Sequence, residues 1–241
     1  MTTDTRALNV PTGVLIAGLL VGAMHLLIEF LPGEQGLNLL LALAFIPARY
    51  GGVVTDIPGG DISALTSFIT YMFVHGDWTH LLVNLMWMLA FGSAVAKRIG
   101  SMHFLIFSAL CGITGALTHL VLHFGEPVPV VGASAAISGQ MAGALRFMFG
   151  ARNANFASTR DIASVPLAGI LSTLANPKFL AFLGVWIALN VLFGLGGVQL
   201  DNSSSSIAWE AHIGGFACGL FIFGIFDRME KSHDGSSGHI T

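Results

Sequence analysis

Apolar residues occur along the chain in long runs, separated by short polar or glycine-rich segments. Six runs approach the length of a membrane span, and they cover residues 11–30, 79–97, 102–124, 133–149, 178–196 and 207–226. A hydrocarbon core about 30 Å thick takes roughly 20 apolar residues of α-helix to cross. The pattern therefore predicts an all-α membrane protein built as a bundle of six transmembrane helices.

The first apolar run also has the position of a secretory signal peptide. A membrane span is the better interpretation, because the run is long, only one arginine precedes it and no clear cleavage site follows it. Two further runs, residues 37–50 and 62–76, are too short to span a bilayer. They are typical of re-entrant or interfacial segments in a long first loop, and the turn-rich stretch between them should be irregular.

Composition agrees with a membrane location. Hydrophobic residues make up 54% of the 241 residues and charged residues only 10%, whereas about 25% of a soluble domain is charged. The net charge of -3 gives no reason to expect a nucleic-acid partner. The two cysteines, Cys111 and Cys218, lie in apolar runs and are interpreted as small packing residues.

The basic residues predict the orientation of the helices, since cytoplasmic loops are enriched in Lys and Arg. With a cytoplasmic N-terminus, nine of the ten basic residues lie inside and only Arg49 lies outside. The expected organisation is a cytoplasmic N-terminus (1–10), a membrane domain (11–228) and a disordered cytoplasmic tail rich in Gly and Ser (229–241). Without a targeting segment, a bacterial inner membrane is the expected location.

Polar residues within the spans are few, and such residues are functional candidates because they are costly in lipid. The candidates are His80, Asn84, Ser134, Ser138, Asn190, Glu210 and His212. Other residues lie alone or near span ends and are interpreted as packing or interface anchors: His25, Glu29, His103, His119 and His123.

Three of the spans bring polar side chains to similar depths. At about 1.5 Å per residue, Asn84, Ser134 and His212 lie roughly 20, 18 and 22 Å from the cytoplasmic ends of their helices. His80 is one turn above Asn84 on the same face. The sequence therefore predicts one layer that contains a hydroxyl, two imidazoles and an amide.

The stretch VPVVGASAAISG, residues 128–139, leads into the fourth span. Pro127 and Pro129 disfavour helix before Ser134, so the chain should descend from the surface in an extended form. The helix that starts near Ser134 is then short, and its first residue lies below the outer surface. Irregular backbone at that depth requires a protein or water environment, which predicts a water-filled cavity with Ser134 at its floor.

Small residues predict close contact between the fourth and sixth spans. Gly139 and Gly143 form one GxxxG pair, and Gly215 and Gly219 form another. Such pairs let helix backbones approach closely. Gly132, just before Ser134, is assigned to the same packing role. Contact between these spans is what would bring Ser134 to His212.

These residues are suited to acyl transfer. A neutral His212 could accept the proton of the Ser134 hydroxyl. The backbone N–H of Ser134, the Asn84 amide and the His80 ring could stabilise an oxyanion. No membrane-embedded Asp is available to orient His212, and Glu210 should face elsewhere. The prediction is a Ser-His dyad that uses no metal and no cofactor.

The chain resembles the rhomboid family of intramembrane serine proteases. The resemblance is carried by HGDWTHLLVN (His75, His80, Asn84), GASA around Ser134, and AHIGGFACG (His212, Gly215, Gly219). It covers about residues 11–228. It implies a six-helix rhomboid bundle with a short central fourth helix. It also implies Ser134 as nucleophile, His212 as general base, and His80 and Asn84 lining the oxyanion hole.

The same resemblance implies transmembrane protein substrates, cleaved near their outer ends, with membrane lipid as the surroundings. Three features depart from the family pattern. Ala135 replaces a frequent Gly, Ala48-Arg49 is the nearest match to a Trp-Arg pair, and Ser138 replaces an aromatic residue that supports the catalytic His. By the resemblance, the polar loop 197–206 should act as a lid and the fifth span should move to admit substrate.

Other functions fit the sequence less well. A zinc protease would need HExxH and an aspartyl protease two membrane aspartates; neither is present. The G-x-S-x-G motif of soluble hydrolases is absent around Ser134, because its last position is Ala136 instead of Gly. Two alternatives stay open: a proteolytically inactive rhomboid relative that binds membrane helices, and a transporter that uses the polar cavity.

Overall fold

The computed structural model describes residues 10–52, 56–149, 165–194 and 208–237. These residues are mostly helical and contain no β-strand. Their helices are α1 Thr12–Phe30, α2 Gln35–Leu43, α3 Gly60–Thr70, α4 Trp78–Ile99, α5 Ser101–Leu122, α6 Ser134–Met148, α7 Ile170–Leu174, α8 Pro177–Gly194 and α9 Trp209–Ser237.

Five of the described helices are long and apolar enough to cross a membrane: α1, α4, α5, α8 and the first 22 residues of α9. Each coincides with a run that the sequence predicts as a span. The remaining predicted run, 133–149, forms the 15-residue helix α6. The all-α membrane class predicted from the sequence is thus confirmed.

Two boundaries show how local chemistry sets the helix ends. α1 ends at Phe30. The next residue, Leu31, has an extended backbone conformation because it precedes Pro32. α9 continues to Ser237, past residue 228, where the composition predicts a disordered tail. Just past residue 228, the carboxylate of Glu230 lies 2.9 Å from Nδ1 of His103 on α5, so this part of α9 contacts a neighbouring helix.

The segment between α1 and α4 folds into short helices rather than spans, as predicted. Arg49 holds it together, because its guanidinium donates hydrogen bonds of 2.6 and 2.9 Å to the carbonyls of Leu41 and Pro58. Ile62 and Leu65 are 76% and 81% exposed. Apolar side chains so exposed on a short helix suit a position at the membrane interface.

Helix α6 lies at the centre of the bundle. Every residue from Ala135 to Phe147 is buried, as expected of a helix that is covered on all sides. It packs chiefly against α5 and α9. A side chain at Gly215 would meet the carbonyl of Ala135, and one at Gly219 would meet the carbonyl of Gly139. The backbones of α6 and α9 therefore touch directly.

Buried charged groups connect the helices at the end of the bundle opposite Ser134. Arg98, at the end of α4, lies 2.6 Å from the carboxylate of Asp227 on α9. It also donates a 2.8 Å hydrogen bond to the carbonyl of Val165. Arg146 of α6 donates to the carbonyls of Leu220 and Ala168. These contacts fix the relative positions of α4, α6 and α9 about three helical turns away from Ser134.

Candidate active site

Ser134 is the first residue of α6, and the chain before it is held in an extended path. Val130 pairs with Phe45 through two backbone hydrogen bonds of 3.0 and 2.8 Å. The N–H of Gly132 donates to the carbonyl of Tyr71, 2.9 Å away. Gly132 has a φ of 108°, a conformation that favours glycine. This local path places the Ser134 side chain at the start of a buried helix.

His212 lies in the first turn of α9 and faces Ser134. Its Nε2 is 2.6 Å from the Ser134 Oγ. The contact follows from the packing of α9 on α6, because Gly215 allows its helix to lie against the backbone of Ala135. Ser134 and His212 are both partly exposed, while Ala133, Ala135 and Ala211 around them are buried. The two reacting side chains are therefore less buried than the residues next to them.

Asn190, on α8, contacts the other nitrogen of the His212 ring. The Asn190 Oδ1 lies 2.6 Å from His212 Nδ1, and the Asn190 Nδ2 donates a 2.8 Å hydrogen bond to the carbonyl of Trp186. A carbonyl only accepts, so the amide NH₂ must face Trp186 and the amide oxygen must face His212. The proton of a neutral His212 then resides on Nδ1, which leaves Nε2 to accept from Ser134.

The sequence identified Asn190 as a membrane-embedded polar residue but gave it no partner. Trp186, one turn before Asn190 on α8, stacks its ring on Phe216 of α9 with the centroids 4.7 Å apart. Asn190 itself is only 9% exposed. Asn190 is thus the residue that orients His212, for which the sequence alone indicated no candidate. It lies on a different helix from His212.

His80 and Asn84 occupy the first half of α4. Asp77 caps this helix, since its carboxylate accepts a 2.8 Å hydrogen bond from the N–H of His80. The His80 ring lies beside Gly132, where an added Cβ would come within 2.6 Å of its Nε2. Asn84 is 4% exposed and donates to the carbonyl of His80 at 2.9 Å. Among the described residues, its side-chain oxygen has no hydrogen-bond partner.

His75 is a further residue at this site, to which the sequence assigns no role although it lies in the same motif as His80. Its Nε2 accepts a hydrogen bond from the N–H of Ala133, 3.4 Å away. Burial, together with the neighbouring His80 ring, lowers the pKa of His75 to about 3, so the ring is neutral at pH 7 and able to accept. His75 therefore helps to hold the chain directly before Ser134.

The residues that depart from the rhomboid pattern are accommodated in the structure. The methyl group of Ala135 points at Gly115 of α5, where an added Cβ would lie 2.6 Å from it. The Ser138 hydroxyl donates a 2.7 Å hydrogen bond to the carbonyl of Ser134. Asn190, rather than the residue at position 138, contacts His212. The loop predicted to act as a lid, residues 197–206, lies outside the described residues.

The protein is an all-helical membrane bundle in which a serine contacts a histidine. This arrangement makes it a candidate intramembrane hydrolase. A family model, the Rhomboid domain, matches residues 63–228. The chain belongs to the rhomboid family, which confirms the resemblance found in the sequence. It is also 30% identical over 158 residues to the Rhomboid protease GluP of Bacillus subtilis (strain 168).

That alignment covers 64% of this chain but 24% of GluP. The chain therefore spans about a quarter of the length of this relative. Together, the family match and the relative support a multi-pass membrane protein of the rhomboid protease family.

Proposed function

We propose that this chain is an intramembrane serine endopeptidase that hydrolyses peptide bonds of transmembrane protein substrates. Ser134 is the nucleophile and His212 is the general base. The observation that carries the proposal is the 2.6 Å distance between Ser134 Oγ and His212 Nε2 in a chain of the rhomboid family. Ser134 combines contact with an imidazole and a position at a helix start.

The reaction follows the logic of a serine protease. His212 Nε2 takes the Ser134 proton as the oxygen attacks the substrate carbonyl carbon. The resulting imidazolium then gives that proton to the leaving amine, and the C–N bond breaks to leave an acyl-enzyme. Water then attacks the acyl carbon while His212 takes one of its protons, and that proton passes to the Ser134 oxygen as the ester bond breaks. Asn190 accepts the Nδ1–H bond throughout and so keeps Nε2 directed at Ser134.

Three groups are assigned to stabilise the oxyanion. The backbone N–H of Ser134 is at a helix start, where amide groups have no partner within the helix. Asn84 has a second amide N–H beyond the one that donates to His80. His80 lies against Gly132 on the same side. These donors meet the negative charge as it develops, and no metal or cofactor takes part in the proposed reaction.

Asn84→Ala should lower kcat by roughly 10²–10³, the usual cost of one oxyanion donor, with a smaller change in KM. The measurement is steady-state cleavage of a model transmembrane substrate in detergent. Asn38→Ala is the matched control, because Asn38 is an exposed asparagine of α2 and its variant should cleave at the native rate. If a folded Asn84→Ala protein cleaved substrate at the native rate, Asn84 would not contribute to the oxyanion hole.

Asn190→Leu should lower kcat about 10- to 100-fold, a part of the 10²–10⁴ that general base catalysis contributes, with little change in KM. Leu keeps the volume but removes the acceptor for His212 Nδ1–H. Asn190→Asp restores an acceptor at that place and should recover most of the rate. If the Asn190→Asp and Asn190→Leu proteins were equally slow, or both fully active, Asn190 would not orient His212.

We also propose that the chain has six spans. α6 is the short fourth span, reached through the extended segment before Ser134, and both termini are cytoplasmic, with the membrane domain over 11–228. The excess of Lys and Arg on one side supports this orientation. Membrane lipid surrounds the bundle, and a bacterial inner membrane is the proposed location.

Cleavage of a model transmembrane substrate by the purified protein tests the function. A new substrate terminus, mapped by mass spectrometry near the outer end of its span, is the expected result. Binding of the substrate without cleavage would indicate an inactive membrane-helix binder. Solute uptake into liposomes without cleavage would indicate a transporter. Either of these outcomes would overturn the protease proposal.

A further inference from the structure

A second cluster of chemically active side chains lies where α5 ends and α9 begins. His119 is in the last turn of α5, His123 follows that helix directly, and Glu210 is in the first turn of α9. One ligand atom from each of the three lies within 4.8 Å of the others. The rings of His119 and His123 are stacked, with their centroids 4.4 Å apart. This cluster plays no part in the proposed proteolysis.

Both ring nitrogens of His123 face carboxylates. Its Nδ1 lies 2.8 Å from the Glu126 Oε2, and its Nε2 lies 3.1 Å from the Glu210 Oε1. A neutral imidazole carries one proton and can donate to only one of the two. The other nitrogen then presents a lone pair to a carboxylate oxygen, an arrangement that requires a proton or another cation between them.

His119 adds a second, independent observation at the same cluster. It is only 2% exposed, and neither of its ring nitrogens has a hydrogen-bond partner among the described residues. Its Nδ1 points at the Glu210 Oε2 from 3.8 Å, too far for a hydrogen bond. A buried polar group without a partner is unfavourable, and a cation between His119 and Glu210 would satisfy both groups.

We propose that His119, His123 and Glu210 form a binding site for a divalent transition-metal ion, best suited to Zn²⁺. Two imidazoles and one carboxylate are a known zinc ligand set, with bonds of about 2.0–2.2 Å and a fourth position for water. The two histidines are four residues apart and so lie on the same side of the chain. Atoms up to 4.8 Å apart need only small side-chain rotations to reach a common ion.

Glu126 has a separate part in this site. Metal-binding histidines commonly donate their other ring N–H to a carboxylate, which fixes the ring and directs the free nitrogen at the metal. The 2.8 Å contact between His123 Nδ1 and Glu126 has this form, and it leaves Nε2 for the ion. His123 is partly exposed and Glu126 is exposed, so an ion can reach the site from solvent.

A metal ion here would join α5 to α9 two residues before His212. It would therefore stabilise the helix pair that contains the proposed general base, without touching the reacting atoms. The proposal does not depend on proteolytic activity, because metal binding is measured directly.

The test is Zn²⁺ binding to the full chain in detergent, after removal of metal with a chelator. Calorimetry should give one Zn²⁺ per chain, and added Zn²⁺ should raise the melting temperature. His123→Ala and Glu210→Gln should each weaken binding by at least about 100-fold. Glu126→Gln should weaken it less, by roughly 10- to 100-fold, as is usual for loss of a residue that orients a metal-binding histidine.

His103→Ala is the matched control. His103 and Glu230 form a His–Glu pair at 2.9 Å between the same two helices, at their opposite ends. This variant should bind Zn²⁺ as tightly as the native protein. The proposal is overturned if the native protein binds no Zn²⁺, or if His123→Ala and His103→Ala proteins bind it equally well. Since His123 is partly exposed, its variant should fold, and the melting curve without metal verifies this.

Discussion

Ser134→Ala should abolish cleavage of a transmembrane substrate, with a fall in kcat of about 10⁴–10⁶. His212→Ala should cause a loss of similar size, and the double variant should be no slower than either single one. The reason is that the two side chains act as a unit: without His212 the Ser134 hydroxyl keeps its proton, and without Ser134 the base has no nucleophile to activate. Cleavage rates in detergent are the measurement.

The comparison needs a serine outside the site and a check of folding. Ser172→Ala is suitable, since the hydroxyl of Ser172 is exposed and bonds to the nearby carbonyl of Gly169. This variant should cleave at the native rate. Melting temperatures of the Ser134 and His212 variants should stay close to native. A folded Ser134→Ala or His212→Ala protein that cleaves normally would exclude the dyad.

Gly215→Val should disrupt both the fold and the site. A side chain at Gly215 would meet the backbone carbonyl of Ala135, which cannot rotate away, so α9 would have to move from α6. Ala135 directly follows Ser134, and the same shift separates Ser134 from His212. Overpacking of this kind costs about 1–3 kcal/mol, and a displacement of about 1 Å can lower the rate about 10²-fold. Melting temperature and cleavage rate should both fall.

Gly22→Val is the matched control for this prediction. Gly22 lies within the apolar helix α1, and an added Cβ there has no atom within 4 Å. The same substitution should therefore leave melting temperature and cleavage nearly unchanged. Equal behaviour of the Gly215 and Gly22 variants would contradict the claim that direct α6–α9 backbone contact aligns the site.

Helix positions could be predicted well because the bilayer imposes a length on each apolar run. α1, α5 and α8 begin and end within about two residues of the predicted spans. The start of α6 at Ser134 could be predicted for a different reason, since Pro127 and Pro129 exclude an earlier helix. These are local rules, and they require no knowledge of how the helices are arranged.

Contacts between helices could be predicted only in part. Depth counting brought Ser134 and His212 to the same layer, but it could not show that Asn190 would face His212. That contact depends on the rotation of α8 about its axis, which is set by packing such as the stacking of Trp186 on Phe216. Helix geometry predicts that Glu210 faces away from His212, as it does. Its contact with His123 depends on where α5 ends, which the geometry of α9 does not predict.

Labelling of the native protein with a serine-directed fluorophosphonate tests the central claim most directly, because such a probe reacts with a serine whose proton a base removes. Mass spectrometry of the digested protein should find the label on Ser134 and on no other serine, and His212→Ala should prevent the reaction. Absence of label from Ser134 in folded native protein, or undiminished labelling in the His212→Ala variant, would contradict the account.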